Sequence, residues 1–143
     1  MDHVARVRAY YEDLRSSDAA DVARHFNADA VHYYTRRDAD VGGARIGEYA
    51  ALAVSHLNAS WRLEHLAGEP AGPVAIEWSM EFDHPRTGKR LLDRGAEFFE
   101  FDDDGLITEV RAYYNELGGD LKGFDHAARG HAVLERNQDR SSS

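Results

Sequence analysis

Residues 95–116, GAEFFEFDDDGLITEVRAYYNE, decide how the rest of the chain is read. Aromatic and β-branched residues alternate with polar ones on both sides of an acidic, glycine-containing turn, the pattern of two antiparallel strands. One residue breaks the rule. Gly95, Glu97, Phe99 and Phe101 share a face of the first strand, so a carboxyl stands where a core strand would carry Val or Phe. If that face turns inward, desolvation disfavours the carboxylate and raises its pKa, making Glu97 a candidate acid, base or hydrogen-bond donor. The competing reading leaves Glu97 in solvent, or pairs it structurally with Arg94 or Arg111.

The period of two extends upstream. WRLEHLAGE (61–69) alternates Trp61, Leu63 and His65 against Arg62, Glu64 and Leu66. VAIEWSMEFDH (74–84) alternates Ile76, Trp78, Met80 and Phe82 against Glu77, Ser79 and Glu81. HPRTGK then turns the chain into RLLDRGAEFFEF (90–101). Before residue 60 the period is helical. In VARVRAYYEDL, Val4, Val7, Tyr11 and Leu14 form one stripe, with His3 and Tyr10 alongside. Asp18 is a candidate N-cap, with Asp21 three residues on, for a second helix presenting Ala19, Val22, Ala23 and Phe26. DAVHYYT (29–35) reads as a strand and RRDADVGGARIG (36–47) as a polar loop. GEYAALAVSHLNA (47–59) is a third helix, with Tyr49, Leu52, Ala53, His56 and Leu57 on its buried side. The order predicts an α+β fold: three N-terminal helices on one face of a curved, mostly antiparallel sheet, with a pocket between.

At 143 residues the chain is one domain by length, long enough to bury about two-thirds of its unfolded surface. The fold should occupy residues 1–116. An extension, 117–135, has enough apolar content to dock on the body, and 136–143 is expected to be disordered. A net charge of −9 disfavours nucleic acid and anionic membranes as partners. No apolar run approaches a membrane span, and the charged, amphipathic start does not read as a signal peptide. The absence of cysteine removes disulfides and thiolate chemistry and fits a cytoplasmic protein. The histidines show no metal-ligand spacing, DDDG lacks the pattern of a calcium loop, and there is no Gly-rich phosphate loop or nucleophile elbow. Neither metal nor cofactor is therefore expected, and a small molecule or a protein is left as partner.

Over residues 4–116 the chain resembles the NTF2-like superfamily, in particular its ketosteroid-isomerase and SnoaL-like cyclase branches. YYEDLRSSDAADVARHFNADAVHYY (10–34) is similar to the opening of a ketosteroid isomerase, and AEFFEFDDDGLITEVRAYYN (96–115) to its final hairpin. The resemblance implies a cone with an internal pocket and a homodimer through the sheet. It puts Tyr10 where the isomerases hold a dienolate oxygen and Glu97 where they carry a second, protonated donor. It puts Tyr34 where they carry an aspartate base, and a Tyr with a pKa of about 10 is a poor base at neutral pH. His32, two residues earlier and on the same strand face, is the internal candidate for that role. The structural alternatives are a buried His32 bonded to backbone or to a tyrosine, and a Tyr10 that is simply core. Asn115 stands at the cyclases' acid/base aspartate. Arg94 and Glu97 have the wrong spacing for the epoxide-hydrolase branch, where Ala112 replaces a second aspartate.

The resulting expectation is a cofactor-independent acid/base enzyme, an isomerase, cyclase or dehydratase, acting on a small apolar or aromatic carbonyl compound. Tyr10, Glu97 and His32 would be catalytic, and Tyr34, Trp78, Met80, Phe82, Phe99, Tyr114 and Asn115 would bind substrate. The alternative is a non-catalytic binding or dimer-forming module of the same fold.

Overall fold

The computed structural model describes residues 1–115, so the predicted extension at 117–135, the tail at 136–143 and the domain boundary at 116 lie outside the described residues. Three helices, α1 (His3–Asp13), α2 (Ala19–Ala23) and α3 (Gly43–Leu57), cover one face of a six-stranded sheet. The strands are β1 (Phe26–Tyr33), β2 (Asp40–Val41), β3 (Ser60–Gly68), β4 (Val74–Asp83), β5 (Arg90–Phe101) and β6 (Ile107–Tyr114). Their order is β2-β1-β6-β5-β4-β3. The β1–β6 pair is parallel and every other pair antiparallel.

Local chemistry sets the element ends. The Asp2 and Asp18 side chains accept hydrogen bonds from Ala5 N and Ala20 N, capping α1 and α2. The long strands alternate as their sequence demands: on β4 Val74, Ile76, Trp78 and Phe82 are buried, on β5 Gly95, Glu97 and Phe99, and on β6 Val110 and Ala112. Val74, Ile76, Trp78, Phe99 and Val110 join Val7, Val22 and Ile107 in the main core, whereas Phe82 packs with Ala53 and Ala59 in a second, smaller cluster.

The structure corrects four expectations. Within the segment read as loop, Asp40 and Val41 pair with His32 and Val31 to form β2. A two-residue strand is too short to show a period. Phe26 opens β1, paired with Ile107, and does not extend α2. The third helix begins at Gly43, and Ile46, Gly47, Ala50 and Ala53 face the core, while Leu52 and His56 are exposed. Close packing is the cause: a Cβ at Gly47 would lie 2.2 Å from the Ala19 carbonyl oxygen, so the small-residue stripe turns toward α2. Finally, a register shift between Leu63 and His65 reverses the alternation of β3, exposing His65 and turning Leu66 toward the core.

Candidate active site

The helices and the inner sheet face enclose a cavity of about 280 Å³, just below the roughly 300–1,000 Å³ of most small-molecule sites. Tyr10, His32, Tyr34, Trp78, Met80, Phe82, Glu97 and Tyr114 all line it. Two expected wall residues do not. Phe99, with no exposed surface, is packed behind Tyr10, their ring centroids 6.1 Å apart. It lies one inward position beyond Glu97, deep in the core. Asn115 is exposed just past the end of β6.

Strand alternation turns Glu97 inward, where its residue is 4% exposed. Among the described residues no guanidinium pairs with it. The Tyr11 hydroxyl donates to Oε1, and His32 Nε2 lies 3.2 Å from Oε2. Three elements build this cluster: α1 supplies Tyr11, β1 supplies His32 and β5 supplies Glu97. Sequence reasoning counted Tyr11 only as part of a core stripe. The signal that finds it is chemical, since a buried phenol needs a partner for its O–H and Glu97 is the carboxyl on the facing strand.

Two adjacent tyrosines thus have different duties. Tyr10 is buried on the same wall, but among the described residues no group is hydrogen-bonded to its hydroxyl. Burial, then the negative charge of Glu97, holds the pKa of both phenols well above the ordinary tyrosine value. Both therefore stay protonated and act as donors at neutral pH.

His32 has one orphaned atom. Nδ1 is buried without a hydrogen-bond partner among the described residues. A proton on Nε2, given to Glu97, leaves a bare acceptor at Nδ1, whereas the other tautomer would bury an unpaired N–H; the first assignment costs less. The ring stacks on Tyr34, centroids 4.2 Å apart and planes 19° from parallel. Tyr34 is not free to act on a ligand through its oxygen, because its hydroxyl donates to Asp40 Oδ2 at 3.0 Å. Burial and the Asp40 charge push its pKa up.

The far wall is aromatic. Trp78 lies flat against Gly95: a Cβ there would sit 2.4 Å from the indole Cζ2. Only glycine lets the indole lie back and leave the cavity open. Tyr114 tilts over it at 5.9 Å. Asp93, 4% exposed, is a further carboxyl on the lining that sequence reading passed over, although the β5 alternation turns it to the Glu97 face. Among the described residues no three His, Asp or Glu side chains converge as metal ligands, and no helix is long and apolar enough to cross a membrane.

The model of the SnoaL-like domain matches residues 7–110. A protein of unknown function with a cystatin-like fold from Methylobium petroleophilum is 32% identical, over 90% of this chain and 89% of its own, with a TM-score of 0.70. A candidate polyketide cyclase from Xanthomonas campestris is 21% identical over 79% of this chain and 90% of its own, with a TM-score of 0.68. A Catenulispora acidiphila protein with a ketosteroid isomerase-like fold, solved with trimethylamine, is 15% identical over 79% and 87%, with a TM-score of 0.69. The last two speak to the fold alone. No curated protein matches the sequence.

Proposed function

The chain belongs to the SnoaL-like domain family of the NTF2-like superfamily, and from that premise we propose an acid/base enzyme that needs no cofactor. Its substrate is a small apolar or aromatic carbonyl compound. The observation that carries this reading is the buried Tyr11–Glu97–His32 cluster beside Tyr10, whose hydroxyl has no hydrogen-bond partner among the described residues, on the wall of an apolar cavity. A carboxylate has about four lone-pair positions, so Glu97 can accept from Tyr11 and His32 and still take a proton. The substrate carbonyl oxygen would accept from Tyr10, with an adjacent C–H facing Glu97. Glu97 removes that proton, and the charge that develops on oxygen is met by the Tyr10 donor. Returning the proton to another carbon isomerises the substrate. Attack by the carbanion on a second carbonyl closes a ring, the new alkoxide taking the proton from Glu97. Alternatively a β-hydroxyl that receives this proton leaves as water while the carbanion's electron pair forms the carbon–carbon double bond. Tyr11 and His32 orient the carboxylate, while Tyr34, Trp78, Met80, Phe82 and Tyr114 hold the carbon skeleton.

The test is hydrogen exchange at carbon. In D2O, small cyclic ketones and enones should incorporate deuterium next to the carbonyl in the presence of the protein, followed by NMR. Glu97→Gln should slow this about 10²–10⁴-fold. Equal exchange by the variant would remove Glu97 from the chemistry.

A second reading is a non-catalytic binding module, favoured by one observation: both Glu97 oxygens already have protein partners. Tight binding of such compounds without exchange at carbon would select it. Either way, Phe98 and Tyr113, 43% and 56% exposed and stacked edge-to-face on the outer sheet surface, support a homodimer through that surface. Light scattering on Tyr113→Lys against the parent tests it.

A further inference from the structure

The expected polar loop between β1 and β2 carries a cluster that the proposed chemistry does not use. Asp40 is 3% exposed. Arg37 clamps it from outside, Nη2 to Oδ1 at 3.2 Å and Nη1 to Oδ2 at 3.3 Å, and Arg45 Nη2 stands 3.8 Å from Oδ1. On the inner side Asp40 accepts the Tyr34 hydroxyl. The Arg37 guanidinium also lies over two rings, 4.4 Å from the Tyr34 centroid and 3.8 Å from that of Tyr49. Tyr34 is therefore fixed at its oxygen and on its ring, which also meets Tyr49 edge-on at 5.1 Å and stacks on the imidazole of His32.

We propose that Asp40 is a positioning residue for the His32–Glu97 pair and acts through Tyr34. The Nε2 bond to Glu97 selects which edge of the imidazole faces the carboxylate, but it does not fix the plane of the ring. The terminal torsion of a histidine is broad, so the ring can rock about that torsion and weaken the bond. With Nδ1 unpartnered among the described residues, no hydrogen bond steadies the opposite edge. The stacked Tyr34 ring limits the rocking, and Asp40, together with Arg37 and Tyr49, holds that ring in place. Backbone register supports the same unit, since Asp40 and His32 are Cα partners across β1 and β2. Thr35 clips the strand end to β6, donating from Oγ1 to the Ala112 carbonyl and accepting from Tyr114 N. Among the described residues, the charged and titratable groups around His32 and its cavity are Glu97 and Asp93 on β5, Tyr10 and Tyr11 on α1, Tyr49 on α3, Asp40 on β2, Tyr114 on β6, and Tyr34 and Arg37 after β1.

The role of the pair in turnover rests on the acid/base reading; the positioning itself does not. The experiment is therefore the ring-nitrogen NMR of His32 in the wild type, Asp40→Asn, Tyr34→Phe and the double variant. The wild type should show the proton on Nε2. Asp40→Asn and Tyr34→Phe should each move His32 toward mixed tautomers, and the double variant should move it no further. A direct field from the Asp40 charge would instead persist in the Tyr34→Phe background, giving additive shifts and overturning the relay. Unchanged His32 signals in Asp40→Asn would overturn it as well. Should Asp40→Asn fail to fold, Arg37→Gln loosens Asp40 from the solvent side and carries the same comparison. In turnover, each single variant should lose about 10- to 100-fold in kcat with KM little changed. The predicted NMR coupling in a protein that turns over no carbonyl compound would sink the enzyme assignment and leave Asp40 in its place.

Discussion

Two buried histidines flank α1, each against a carboxylate, and they differ in what surrounds them. His25, with no exposed surface, sets Nε2 2.6 Å from Asp13 Oδ2. Arg24 binds the same oxygen at 2.6 Å, and Arg6 donates to His25 Nδ1 at 3.4 Å while its Nε reaches the Gly105 carbonyl. Every polar ring atom there has a partner. His32 has Glu97 on one side and an Nδ1 with no partner among the described residues on the other, and its carboxylate lines a cavity. The Tyr10 ring lies between the two, 6.2 Å from His25 and on the Glu97 wall. A histidine–carboxylate pair is therefore not evidence of chemistry by itself. Full satisfaction makes a brace joining α1 to the β5–β6 turn, whereas incomplete satisfaction beside a cavity leaves capacity for a ligand.

Exchanging the insults breaks this contrast most sharply. Glu97→Gln should remove about 10²–10⁴-fold of activity and little stability, because the amide keeps the shape and can still accept from Tyr11. Asp13→Ala should do the reverse, leaving a buried N–H on His25 unpaired at a cost of about 1–3 kcal/mol, with turnover per folded molecule unchanged. Urea melts and turnover measured on the same samples separate the two. An Asp13 variant that melts normally but has lost activity would join the two histidines into one system.

A smaller version of the contrast uses the second donors. Tyr11→Phe removes one of the two bonds that orient Glu97, and kcat/KM should fall about 10-fold. Arg6→Leu removes the bonds to His25 and Gly105, and should cost about 0.5–1.5 kcal/mol in the melt without touching KM. Equal kinetic losses from both would show that α1 as a whole, and not Tyr11, sets the site.

The two regions were also unequally legible in the sequence. Glu97 could be found because β5 is long enough for a period of two to fix which side each residue faces. Tyr10 and His32 then followed from the resemblance and from strand parity. Tyr11 was visible but misread, since helical periodicity places a residue without saying what its hydroxyl meets. Asp40 lies in a stretch with no period at all, and only the pairing of β2 with β1 brings it to Tyr34. The buried face of α3 was lost for another reason. Sequence reading favours bulky apolar residues such as Leu52, whereas close approach of two helices selects Gly43, Gly47 and Ala50. The His25 brace carried no local signal, because Asp13 and His25 sit on either side of α2 and meet only after folding.

Acid should weaken the brace, and the sign follows from the direction of each shift. Burial, together with the Arg24 and Arg6 charges, lowers the His25 pKa against the opposing pull of Asp13. A depressed histidine contributes stability that is present above its unfolded pKa of about 6.5. Below that value the unfolded chain binds the proton first, and stability falls at up to about 1.4 kcal/mol per pH unit until the folded group also titrates. Asp13 works in a lower window. Burial opposes the shift, but bonds and charges from His25 and Arg24 lower its pKa. Its contribution is present above about pH 4 and is lost as pH falls through the folded value. Melting temperature should therefore decline in two stages from neutral pH downward. His25→Asn should flatten the upper stage and keep part of the lower one, where Asp102, its pKa lowered by Asn27 and the Leu106 amide, also contributes. An upper slope that survives in His25→Asn would assign it to another group and dissolve the distinction between a structural and a reactive histidine.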